Sequence, residues 1–189
     1  QVKAYFTTGK PDILIFEDYN KGVLTARVIK ELIALCKEEG VVTSVDPKKK
    51  NFLAFTGVTI FKPNLKEVKE GLNLLVDTID MHTLTDMHKG LQAQLQHQIS
   101  FITLSERGVF YQQGEEQKLI PTHVRNISDV SGAGDTVIAV ASLVYAATHN
   151  MLLAAEMANI AGGLVCEEVG TAPINKEKLL HECEVLLGE

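Results

Sequence analysis

Apolar residues recur along the chain in two rhythms, and their alternation predicts layers of strand and helix. Ile13-Leu14-Ile15-Phe16 is a continuous apolar run ending in Glu17-Asp18, the pattern of a strand buried on both faces in a parallel sheet. A polar turn, Asp18 to Gly22, follows it. Leu24, Val28, Leu32 and Leu35/Cys36 then fall at helical spacing, with Ile29 and Ile33 widening the stripe and Gly40 stopping it. Val41 to Val45 is the next strand, broken by Asp46-Pro47. Strand, helix and strand in this order predict a parallel pair with a right-handed crossover.

Further on, Thr59-Ile60-Phe61 is a short strand, and Pro63 precedes a short helix with Asn64 as N-cap. Glu67 then stands at the third helical position, which completes a capping box. Thr83 to Gln98 is a polar, amphipathic helix, Ile99 to Leu104 a strand, and Ser105-Glu106-Arg107-Gly108 a tight turn. Val109 to Gln112 and Lys118 to Pro121 pair as a hairpin across Gly114. Three helices follow: one from Asp135 onward, one from about Leu152 to Glu167, and one from about Lys176 to Leu187 capped by Asn175. Gln1 to Lys10 carries no clear pattern. With no repeat, low-complexity segment or linker, residues 1–189 read as a single α/β domain.

Composition narrows the function classes. The apolar fraction of 46% supports a real core. A net charge of −6, with no basic cluster beyond Lys48-Lys49-Lys50, argues against nucleic acid as a partner. The three cysteines, Cys36, Cys166 and Cys183, sit in apolar helical patterns at wide spacing, which fits neither a disulfide framework nor a zinc site. Reduced core thiols and a cytoplasmic setting are expected. No apolar run reaches transmembrane length, so no membrane partner is expected.

The chemistry concentrates in Asp129-Val130-Ser131-Gly132-Ala133-Gly134-Asp135-Thr136, which runs into the apolar segment Val137 to Ala147. Gly132 and Gly134 permit unusual backbone angles and close approach of a ligand. The amides of Gly132, Ala133 and Gly134 lie at a helix N-terminus, where unpaired N–H groups and the helix dipole form an anion hole. A carboxylate beside a phosphate site repels the ligand unless it serves the chemistry, and Asp135 can serve as the base that deprotonates an attacking hydroxyl. The bland alternative is a glycine turn with an Asp in the first helical turn. The other polar clusters, Asp18 to Gly22, Asp46-Pro47, Asn64 to Glu67 and Ser105 to Gly108, also fall at the ends of predicted elements. In an open α/β sheet they would converge on one edge.

The turn resembles the signature D-[TV]-[TS]-G-A-G-D of the ribokinase-like (PfkB) carbohydrate kinases through Asp129, Ser131, Gly132, Ala133, Gly134 and Asp135. The resemblance implies a ribokinase-like three-layer α/β/α fold with a mostly parallel central sheet, ATP and Mg²⁺ as cofactors with room for a monovalent cation, and Asp135 as catalytic base. Phe61-Lys62-Pro63-Asn64-Leu65-Lys66-Glu67 is similar to the family's N-x-x-E element. It implies Asn64, Leu65 and Lys66 beside the nucleotide phosphates and Glu67 assisting Mg²⁺ through water. Thr103 to Gly108 resembles the nucleotide loop T-x-G-x-x-G with Ser105 in place of the first Gly, and Asn159 stands where the family borders the nucleotide pocket. Asp18-Tyr19-Asn20-Lys21-Gly22-Val23-Leu24 resembles the D-Y-x-K-G-V-L segment of the heptose-phosphate kinases within the family. That likeness implies a sugar phosphate as substrate, met by Lys21 and Asp135.

The resemblance also implies that the family's N-terminal part and β lid are missing before Gln1. The first strand would then lie at a sheet edge, a route to a homodimer. Two rival classes are a non-catalytic, truncated nucleotide-binding homologue, against which Asp135 argues and for which the missing N-terminal part argues, and a dinucleotide-dependent oxidoreductase. The latter lacks a G-x-G-x-x-G after the first strand.

Overall fold

A computed structural model describes residues 2–123 and 125–188. The elements in chain order are α1 (Val2–Thr8), β1 (Ile13–Glu17), α2 (Ala26–Glu39), β2 (Val42–Asp46), a 3₁₀ segment (Lys49–Ala54), β3 (Ile60–Phe61), α3 (Leu65–Gly71) and α4 (Met81–Leu95). They continue with β4 (Ile99–Thr103), β5 (Val109–Gln113), β6 (Glu116–Ile120), α5 (Ala133–Thr148), α6 (Met151–Cys166) and α7 (Lys176–Leu187).

The six strands form one sheet in the order β1-β2-β3-β4-β5-β6. The first four run parallel, and β5 and β6 return as the antiparallel hairpin expected from the sequence. Side chains alternate across the sheet and feed two cores. On one face Phe16, Val45, Phe61, Ile102 and Phe110 pack with Ile29 and Ile33 of α2 and with Leu84, Met87 and Leu91 of α4. On the other, Ile60, Ile99, Phe101 and Tyr111 pack against Val137 and Ala141 of α5 and Ala154 and Ala158 of α6. The result is the three-layer α/β/α arrangement. Burying a side chain such as the fully enclosed Phe61 contributes about 1.5–3 kcal/mol.

Helix starts obey local rules. Thr25, Asp80, Asn150 and Asn175 each accept an amide hydrogen bond from three residues ahead. The capping box at Asn64 and Glu67 is complete in both directions.

Three readings need correction. First, Ile13–Glu17 is not buried on both faces: only Phe16 is buried and Ile15 is 37% exposed, and among the described residues the strand lies at one sheet edge, as the resemblance implied. Its continuous apolar run looks the same as that of a central strand, because run length does not report the number of neighbours. Second, the last helical trio begins at Ala133, two residues before Asp135, so Asp135 lies inside the first turn. Third, the left-handed backbone belongs to Gly132 alone of the two turn glycines, at φ 80°; Gly134 is already helical. Residues 2–8, without a legible pattern, form the short exposed helix α1. All three cysteines are free and buried, as read.

Candidate active site

The C-terminal ends of β1 and β2 carry the first two acidic groups. Glu17 and Asp46 are register partners on adjacent parallel strands, so their side chains emerge on the same face. Asp135 reaches them from the first turn of α5, and one carboxylate oxygen from each of the three lies within 4.8 Å of the others.

Two lysines offset part of this charge. Lys62, just past β3, places Nζ 3.0 Å from Asp46 Oδ2 with its side chain 3% exposed. Lys48 lies 3.1 Å from Asp46 Oδ1 and 3.3 Å from Glu67 Oε1. A continuous chain of charge therefore runs Lys62–Asp46–Lys48–Glu67. Both Asp46 oxygens already have cationic partners, whereas no lysine is paired directly with Glu17 or Asp135 among the described residues, so the cluster keeps an excess of negative charge.

Glu17 bears the residual strain. Its carboxyl is pushed up to about 7, first by burial and then by Asp135 and Asp46, against the opposing pull of Lys62 and Lys48.

The glycine turn is seated over this network. A Cβ added at Gly134 would stand 3.5 Å from Asp46 Oδ2 and 3.9 Å from Lys62 Nζ. A buried Ser44–Ser142 hydroxyl pair at 2.6 Å fixes α5 against β2. The Thr136 amide is the first to bond back into the helix, to Gly132 O at 3.0 Å, so the Gly134 and Asp135 amides precede the ladder. The Ala133 amide makes a longer bond within the turn, to Val130 O at 3.3 Å.

Asp129 anchors the turn from the other side. It accepts from the Ser131 amide and hydroxyl at 2.9 and 2.8 Å and from the Gly170 amide at 3.1 Å. The Ser131 hydroxyl, then the Ser131 and Gly170 amides, hold its carboxyl below its ordinary value. The Ser128 and Asp129 amides donate to Cys166 O at the end of α6.

The expected convergence of polar clusters is met. Tyr19, in the loop after β1, donates its phenol to Asp135 Oδ2 at 2.5 Å across 116 residues of sequence. Asn64 forms a parallel bridge with Thr103, whose amide donates to Pro63 O at 3.1 Å. Asn64, Leu65, Lys66 and Ser105 line one cleft of about 590 Å³ together with Lys69 and Glu70.

Two expected site residues also make structural contacts, and a third lies in solvent. Gly108 is buried at φ 93°, and a Cβ there would fall 2.0 Å from Ile120 O, so glycine is required to close the turn onto β6. Asn159 is buried and donates Nδ2 to Pro121 O at 2.9 Å. Lys21 is exposed in the Tyr19 loop, between Asn20 at φ 53° and Gly22 at φ 94°.

Glu17, Lys48 and Lys62 escaped the sequence reading as site residues, and Tyr19 and Asp46 entered it only as members of polar clusters with no role assigned. The available signals were a charged residue closing each of two strands and a lone lysine inside Phe61-Lys62-Pro63.

The donor chemistry at Glu67 suits Mg²⁺. Its Oε2 accepts from the Asn64 amide at 2.8 Å and its Oε1 from Lys48, which leaves further lone pairs. Mg²⁺ keeps much of its water shell and needs few carboxylates.

The fold is that of solved sugar kinases. Arabidopsis thaliana ribokinase, solved with ribose and ATP, superposes with a TM-score of 0.82 at 15% identity, covering 96% of this chain and 57% of that one. Escherichia coli phosphofructokinase-2, solved with potassium, superposes at 0.80 with 16% identity over 94% of this chain and 57% of its own. The likeness defines a ribokinase-like α/β/α domain.

The chain belongs to the pfkB family of carbohydrate kinases, whose sequence model matches residues 7–178. Among curated relatives, the protein named Bifunctional protein HldE from Syntrophotalea carbinolica is 35% identical over 173 residues, 90% of this chain. Its namesake from Mesorhizobium japonicum is 38% identical over 170 residues, 89% of this chain. The chain spans about a third, 34%, of the length of each. None of the described helices is long and apolar enough to cross a membrane.

Proposed function

We propose that this chain forms the nucleotide-binding and catalytic side of an ATP-dependent kinase. Its acceptor would be the anomeric hydroxyl of D-glycero-β-D-manno-heptose 7-phosphate. The carrying observation is Asp135, set in the first turn of α5 directly after the glycine turn and facing the Tyr19 loop.

In this reading the amides of Gly134 and Asp135 receive the γ-phosphoryl oxygens as charge builds on them. Lys62, behind the turn, offsets part of the negative potential of Asp46 at the same place. Asp135 takes the acceptor's proton, the acceptor oxygen bonds to the γ-phosphorus, and the bond from that phosphorus to its bridging oxygen breaks to release ADP. Asn64, Leu65, Lys66 and Ser105 form the wall for the nucleotide, while Glu67 and Lys48 hold the polar edge beside its phosphates. Mg²⁺, when bound through water at Glu67, would neutralise phosphate charge. A monovalent cation is a further part of the proposal, supported by the potassium complex of phosphofructokinase-2. So is a homodimer, through the open edge of β1.

Support for the heptose branch comes from the Asp18 to Leu24 segment and from the relatives named Bifunctional protein HldE. The test is a substrate panel on the full-length protein together with Asp135→Asn. Heptose 7-phosphate should be preferred over ribose, fructose and adenosine, and Lys21→Ala should raise the sugar KM more than the ATP KM. Asp135→Asn should lower turnover about 10²–10⁴-fold with ATP affinity little changed. Equal use of unphosphorylated pentoses would move the substrate elsewhere in the family, and near-normal turnover in the variant would remove Asp135 from the chemistry.

A further inference from the structure

The loop after β1 holds a tyrosine against the proposed base, and the loop is built to do so. Asp18 anchors it: the side chain is buried, Oδ1 accepts from the Asn20 amide at 2.9 Å, and Oδ2 accepts from the Lys48 amide at 3.4 Å. The Asp18 amide donates in turn to Asp46 O at 3.2 Å. Asn20 then takes a left-handed conformation, at φ 53°, and Gly22 another, at φ 94°. These local constraints fix the one residue between the buried Asp18 and the turn at Asn20. That residue is Tyr19, whose ring is largely in solvent while its hydroxyl reaches Asp135 Oδ2 at 2.5 Å. An exposed tyrosine has no burial reason to lie there.

We propose that Tyr19 is a positioning residue for Asp135: its phenol holds Oδ2 and so presents Oδ1 to the acceptor hydroxyl. This inference rests on the reading of Asp135 as base. A carboxylate on a helix turn can rotate about its side-chain torsions, and a fixed donor on one oxygen leaves the other at a set angle. The need is sharp here because Glu17 and Asp46 crowd Asp135 with negative charge, which would swing an untethered carboxylate away. The phenol also links the base to the loop that carries Lys21, so an acceptor bound at that loop and the base would be registered by one short segment. Facing the Tyr19 hydroxyl are the carboxylates of Asp135 on α5, Glu17 on β1 and Asp46 on β2.

Tyr19→Phe in the full-length protein removes one hydroxyl from a mostly exposed ring, so the fold should be kept. We expect kcat to fall between about 10- and 100-fold, the range for a misaligned reacting group, with the KM for both substrates near the wild-type values. A second readout is spectroscopic. The Tyr19 phenol is pushed up to about 12, chiefly by its hydrogen bond to Asp135. Its signal, identified by its loss in Tyr19→Phe, should move towards the ordinary value of about 10 in Asp135→Asn.

An unchanged or raised kcat in Tyr19→Phe overturns the inference. So does a kcat loss matched by an equal rise in sugar KM, which would indicate loop damage, and so does a Tyr19 titration unmoved by Asp135→Asn. These results leave the base assignment standing if Asp135→Asn is inactive. Near-normal turnover in Asp135→Asn sinks that assignment and this inference with it.

Discussion

Replacing Asp46 by Ala should be among the most destabilising single changes available near the site. The reason is the state in which it leaves Lys62. That ammonium is 3% exposed and has Asp46 Oδ2 at 3.0 Å as its direct counter-ion. Removing one partner of a buried pair costs about 3–5 kcal/mol, because the other charge is left without water or a counter-charge. Two features place this case at the low end. The carboxylates of Glu17 and Asp135 lie within 4.8 Å of the deleted group and retain some attraction for Lys62. Lys48, on the other Asp46 oxygen, is 40% exposed and can turn to water or to Glu67. A loss of about 3 kcal/mol corresponds to a drop in Tm of about 6–12 °C for a chain of this size. Lys62→Met should cost only about 1–2 kcal/mol, since Asp46 keeps Lys48 and Glu17 can take up a proton. The double variant should recover most of the stability lost in Asp46→Ala, because no buried charge remains unpaired. Chemical denaturation of the wild type, both single variants and the double variant provides the cycle. Additive effects, or a cost within about 0.5 kcal/mol for Asp46→Ala, would show that Lys62 and Asp46 behave as solvated surface charges.

Two further outcomes follow from the same cluster. Glu17 is raised from 4.5 to about 7 in the folded chain, so between those values the folded state holds more protons than the unfolded state. Stability should therefore fall as pH rises from about 4.5 to about 7 and level off above. Because the side chain is partly exposed, solvent screening should reduce the effect to about 1 kcal/mol; Glu17→Gln should remove that slope in urea melts at pH 5 and 8, and an unaltered slope would count against the strain. Gly134→Ala should fold normally, since its Cβ would meet Asp46 and Lys62 only at ordinary contact distance, whereas Gly134→Val should weaken ATP binding by calorimetry by crowding the phosphate approach. Unchanged binding in the Val variant would reduce the turn to a helix cap.

What the sequence determined by itself are features closed over a few residues. The capping box joins Asn64 and Glu67, three residues apart, and needs no partner from elsewhere, so its spacing alone specifies it. The hairpin across Gly114 and the cap at Asn175 belong to the same class. The Asp129 to Asp135 turn is legible because its own hydrogen bonds, from Ser131 to Asp129, are local. Tertiary structure decided everything that depends on strand order and register. Glu17 and Asp46 meet because β1 and β2 pair in a register that sets those two residues side by side, a fact absent from either segment alone. Tyr19 finds Asp135 only after the sheet brings the ends of β1 and α5 together. The exposure of Ile15 reflects the place of β1 at one edge of the sheet among the described residues, not a polar pattern. Even the buried bond of Ser100 to His88, at 2.8 Å, becomes visible only when α4 lies on β4. Local hydrogen bonds are written in spacing; the juxtaposition of charges is written in topology, where a one-residue slip would turn each side chain to the opposite face.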